Sequence, residues 1–85
     1  MSPVAEIWVL ELGPNRNVVI QAIDQLLHYG YTSIYKRLKA GPLLIAVDDS
    51  ARAFGIARDF RRLGATVGWR LAGDEEPLRT VWHGE

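Results

Sequence analysis

The chain has no cysteine, a single methionine, two histidines and only two lysines in 85 residues. Without cysteine there is neither a disulfide nor a thiolate metal site, which fits a reducing cytoplasm. Net charge is also missing, because ten basic and ten acidic residues cancel. No global field therefore draws the chain to nucleic acid or to anionic lipid. No apolar run approaches the roughly 20 residues that span a bilayer, and the first residues lack the basic n-region and long apolar core of a leader. At this length a single domain is expected, burying about 60–65% of its chain surface, with little room for an internal active-site cavity. Repeats and low-complexity tracts are absent too.

What is present reads as strand, helix, helix, strand, helix, strand and a tail. Ile7 and Val9 alternate with Glu6 and Trp8, the signature of a half-buried strand. Gly13-Pro14 ends that run, and Asn15 or Asn17 is placed to cap a helix through its side-chain oxygen. Val19, Ile20, Ile23, Leu26 and Leu27 then recur at helical spacing. Gly30 breaks this helix, and Thr32 is expected to open a second, with Ile34 and Leu38 on one face. Lys36, Arg37 and Lys39 fall near its carboxyl end, where cations suit the helix dipole, before Gly41-Pro42 stops it. The apolar run Leu43–Val47 has strand length, and Asp48, Asp49 and Ser50 are all capping types. A third helix buries Ala53, Phe54, Ala57, Phe60 and Leu63 and ends at Gly64. Val67, Trp69 and Leu71 alternate as the last core strand, and Leu78–Trp82 reads as an extra strand after a polar loop.

Five pieces in this order carry a resemblance: "GPNR" at Gly13–Arg16, "VVIQAI" at Val18–Ile23, Gly30, "GP" at Gly41-Pro42 and "GATV" at Gly64–Val67. Across residues 5–71 the chain resembles the C-terminal domain of the bacterial large-subunit ribosomal stalk protein, a fold shared with Clp protease adaptors. The resemblance implies an α+β fold: a small antiparallel three-stranded sheet covered on one face by three helices (β-α-α-β-α-β). Residues 1–72 would form this domain, and residues 73–85 a C-terminal extension able to add a strand. It also implies a docking surface on the first two helices. Arg16 and Ile20 keep the family's residue character there, whereas Gln21, Asp24 and Tyr35 stand where the family carries basic residues. Replacing a base by Asp inverts the local charge complementarity, and the family's hinge and dimerising region are missing, so a working stalk protein is not expected. Clp adaptors hold a peptide's free amine with acidic and Asn residues before the first helix. The stretch Pro14-Asn15-Arg16-Asn17 has no carboxylate there, and Arg16 would repel an ammonium group.

Reaction chemistry finds little to stand on. Asp48-Asp49 has no converging His or Glu nearby in sequence and is explained by helix capping. His28 suits a helix end, His83 lies in the tail, and Ser33 and Ser50 sit in no nucleophile motif. The glycines match neither phosphate-loop nor dinucleotide patterns. The expectation is a non-enzymatic protein-interaction module with no cofactor and no metal, cytoplasmic, with a protein partner and no membrane. Its docking corner comprises Arg16, Ile20, Gln21, Asp24, Tyr31 and Tyr35, with Tyr29 beside it. Trp8 and Leu10 should face away from the helices, so something should cover them: Leu78, Val81 and Trp82 of the tail, or a second copy in a homodimer or a protein partner. The alternatives are RNA binding through two basic clusters (Lys36, Arg37, Lys39 and Arg58, Arg61, Arg62) and a Clp-adaptor-like peptide binder.

Overall fold

The computed structural model describes residues 3–73 and 77–80, the side chain of Thr80 excepted. The order is β1 (Val4–Glu11), α1 (Arg16–Leu27), α2 (Tyr31–Ala40), β2 (Leu43–Asp49), α3 (Ser50–Arg62), β3 (Thr66–Leu71) and β4 (Arg79–Thr80). All pairings are antiparallel and the sheet runs β2-β1-β3-β4. The fold is the expected α+β arrangement, with β4 added by the extension.

Alternation in β1 decides which face is buried. Ala5, Ile7 and Val9 are wholly buried and meet Val19, Ile20 and Ile23 of α1, Ile34 of α2, Ala53, Ala57 and Phe60 of α3 and Val67 of β3. Small residues at 53 and 57 let α3 lie close to the strands, and Phe54 meets Trp69 edge to face at 5.0 Å between ring centres. Phe54 and Leu63 are half-buried at the core's margin.

β2 is less regular than its apolar run suggests. Ile7 pairs with Ala46 and Trp8 with Leu44, so Ile45 is an extra residue in a bulge. The bulge shifts the phase: Leu43 and Ile45 are buried, while Val47 is turned outward and 53% exposed. It also blunts the outer edge of this edge strand. A second bulge, at Leu10, precedes the pairing of Glu11 with Thr66.

The knuckle after β1 is locked by backbone contact. Gly13 has φ +76°, and a Cβ there would lie 2.1 Å from the Gly64 carbonyl oxygen. Only glycine fits so close an approach in that conformation. Asn15 sits at the N-cap of α1, but its side chain does not cap; its Nδ2 donates to the Leu63 carbonyl at 3.1 Å. This corrects the expected Asn cap. The amide ties the start of α1 to the end of α3, and Asn17 is occupied by Tyr31 instead.

At the other end of α1, His28 takes a left-handed conformation, and its N–H donates to the Asp24 carbonyl at 2.8 Å. The Asp24 carboxylate accepts from the Gly30 N–H at 2.8 Å. α2 consequently starts at Tyr31, one residue before the expected Thr32, because Gly30 and not a side chain occupies its N-cap. At α3, Asp49 caps as expected, its carboxylate accepting from the Arg52 N–H.

Candidate functional site

Helical spacing on α2 puts Tyr31, Tyr35 and Lys39 in one row, at i, i+4 and i+8. The Tyr31 and Tyr35 rings lie nearly parallel (14°) with centres 6.5 Å apart. The Tyr31 hydroxyl donates to Asn17 Oδ1 at 2.7 Å, which fixes the row against the first turn of α1. From that turn Arg16 brings its guanidinium to 5.8 Å from the centre of the Tyr35 ring, and Lys39 Nζ lies 4.8 Å from the same centre. Tyr35 thus carries two cations on its π system. Neither cation forms an ion pair among the described residues. Beside them a groove of about 290 Å³ runs between the end of β1 and α2, floored by Leu10, Leu12 and Leu38 and bordered by Glu11.

The expected corner residues divide. Arg16, Tyr31 and Tyr35 come together as a surface cluster. Gln21 is exposed and Asp24 half-buried, both farther along α1. The Asp24 carboxylate is spent on the Gly30 turn and serves the connection between α1 and α2. Ile20 is a correction: it is fully buried in the core and has no surface to offer a partner. Helical periodicity had already put Ile20 among the apolar positions, and burial wins. Asn17 and Lys39 are the contributors that sequence reasoning missed. The Tyr35-to-Lys39 spacing was a legible signal, whereas the Asn17–Tyr31 bond depends on how α2 folds back. Tyr29 and Tyr31 are each 46% exposed, and Arg37 lies 4.5 Å from the centre of the Tyr29 ring.

The outer sheet face is organised differently. Glu6 Oε1 accepts from Arg70 Nε at 2.7 Å and from the Trp8 indole N–H at 3.1 Å, and the Arg70 guanidinium lies 5.4 Å from the centre of the Trp8 ring. These two donors, Arg70 first, hold the Glu6 carboxyl below its ordinary pKa. Leu10 and Leu78 flank Gly68: a Cβ on that glycine would lie 3.3 Å from Leu10 Cδ1 and 3.3 Å from Leu78 Cβ. The extension therefore covers part of this face with Leu78. Val81, Trp82 and His83 lie outside the described residues.

The Asp48 carboxylate accepts from the Asp49 N–H and Asp49 caps α3, so both serve the strand-to-helix turn. Among the described residues, no three His, Asp or Glu side chains converge as metal ligands, and no helix is long and apolar enough to cross a membrane. Set beside known protein families, curated proteins and solved structures, the chain matches none of them.

Proposed function

We propose that this domain is a non-enzymatic protein-interaction module that works in the cytoplasm and docks an acidic segment of a partner at the corner of α1 and α2, on a scaffold akin to the ribosomal stalk C-terminal domain. The observation that carries the docking reading is the pair of cations, Arg16 and Lys39, held on Tyr35 with no carboxylate partner among the described residues. Tyr and Arg, which meet here, are both enriched at interface hot spots. The adjoining groove, where Leu10, Leu12 and Leu38 lie beside Glu11, Arg16 and Lys39, gives room for one aliphatic or aromatic side chain next to an acidic one. The stalk-like scaffold is supported by the element order and by the Gly13–Gly64 contact, which joins two of the five sequence pieces on which the resemblance rests. The same cations disfavour a bound peptide amine, as charge repulsion would apply at the position of Arg16.

The test is a titration of the isotope-labelled chain with a Glu/Asp-rich peptide containing one Leu, followed by amide NMR shifts. Shifts confined to Arg16, Asn17, Tyr35 and Lys39, and abolished by Arg16→Ala with Lys39→Ala, are expected. Shifts centred elsewhere, or none at millimolar peptide, would reject the docking corner.

A further inference from the structure

The solvent face of α3 carries a second cationic surface with a different construction. Ala51, Gly55, Arg58 and Arg62 form one exposed stripe at i, i+4, i+7 and i+11, flanked by exposed Arg52 and Asp59. Two of these residues depart from the usual helix preferences. Gly55 sits in mid-helix, where Ala would be better by about 0.5–1 kcal/mol, and a Cβ there would meet nothing within 4 Å, so packing does not require the glycine. Arg52 places a cation in the first turn, toward the positive end of the dipole, offset by the Asp49 carboxylate that caps the same turn. Arg61 and Arg62 are ordinary last-turn cations; Arg52 is not. Among the described residues none of Arg52, Arg58 and Arg62 forms an ion pair. Departures from local helix rules without a packing reason mark positions kept for function.

We infer that this stripe docks on the sugar-phosphate backbone of double-stranded RNA. Arg52 to Arg62 spans about 15 Å along the helix, and Arg58 and Arg62 stand about 6 Å apart, one turn from each other. Guanidinium groups match phosphate oxygens bidentately, and all three cations are arginine. Ala51 and Gly55 leave a flat strip on which a backbone can approach closely. The stripe has no aromatic to stack unpaired bases, which excludes a single-strand platform, and no large apolar residue to enter a membrane. Asp59 decides between duplexes: a carboxylate beside phosphates is tolerated where it accepts from a 2′-hydroxyl, which RNA has and DNA lacks. Binding is sequence-independent because phosphate contacts carry no sequence information.

The test measures anisotropy of a labelled RNA duplex of roughly 20 base pairs against the full chain, beside the same sequence as DNA and beside anionic phosphatidylserine vesicles. The RNA duplex should bind with a salt slope of about −3, one unit per arginine. Arg58→Ala with Arg62→Ala should cut affinity roughly tenfold or more and flatten the slope by about two units. Gly55→Leu should weaken binding while the helix keeps its thermal stability, and Asp59→Ala should narrow the preference for RNA over DNA. Lys36→Ala with Arg37→Ala should change nothing. Equal binding of DNA, binding of vesicles in place of RNA, loss that follows the α2 variant, or no binding at low salt would each overturn the assignment.

Discussion

The two faces of the sheet are built from the same alternating strands and are stabilised in different ways. The inner face is closed by three helices, and its central side chains (Ala5, Ile7, Val9, Val19, Ile20, Ile23 and Ile34) have no exposed surface. Its tolerance is set by steric fit, as expected of interiors packed to crystal density. On the outer face no helix lies against the strands among the described residues. There a half-buried ion pair, an indole N–H and two leucines share the covering. The difference teaches where substitutions should hurt: by volume and backbone contact on the inner side, by charge state and modest burial on the outer side.

The largest effect should come from Gly13→Ala. Its Cβ would be driven into the Gly64 carbonyl in a left-handed conformation, with no flexible side chain to yield. A loss of roughly 4 kcal/mol, or failure to fold, is expected in urea unfolding. A loss under about 1 kcal/mol would show that the knuckle opens easily and would end the view of it as a locked corner.

Ile20→Ala tests the inner face through neighbouring positions of one helix. Ile20 is fully buried and Gln21 is exposed. Cavity formation should cost about 2–5 kcal/mol at 20, whereas Gln21→Ala should stay within about 0.5 kcal/mol. Peptide binding at the proposed docking corner should persist in the folded fraction of Ile20→Ala. If binding is lost while the fold is kept, Ile20 belongs to the interface after all.

These pairs also show what was legible in the sequence. Period-3.6 and period-2 patterns placed three helices and the core strands, since burial acts on every residue of an element and leaves a repeated trace. Single contacts leave no such trace. Nothing in the order of residues says that Asn15 would reach Leu63, 48 positions away, or that the Asp24 carboxylate would serve the Gly30 N–H. The bulge at Ile45 is invisible in an all-apolar run, because either phase satisfies the same composition. At the corner of α1 and α2 the aromatic row is readable from spacing, and the helical periodicity of Ile20 already points to the core where it lies.

On the outer face, Trp8→Ser should cost about 1–2 kcal/mol, in proportion to a half-buried indole. It should leave the helices' amide shifts in place. A full loss of fold would mean that the outer face is as tightly interlocked as the inner one. Gly68→Ala should be milder still, within about 1 kcal/mol, because its crowding neighbours include a leucine methyl group able to rotate away. Hydrogen exchange of the amides joining β3 and β4 should nevertheless speed up as Leu78 is pushed outward. Unchanged exchange would mean that Leu78 and the short strand are not coupled through this glycine.

The smallest effect is the most specific to the outer face. Glu6 titrates below its ordinary value because Arg70, and then Trp8, donate hydrogen bonds to its ionised form. A carboxyl with a lowered pKa in the fold binds its proton more readily when unfolded. Its contribution is therefore complete above the ordinary glutamate value of about 4.3 and is lost as pH falls through the lower folded value. Stability measured from pH 7 downward should show this loss in the wild type, and Glu6→Gln should remove that part of the slope. The Glu6 and Arg70 side chains are only partly shielded, at 17% and 33% exposure, so added salt should shrink the effect. An unchanged acid slope in Glu6→Gln would leave the outer face held by Trp8, Leu10 and Leu78 alone, and would bring its chemistry closer to that of the inner face.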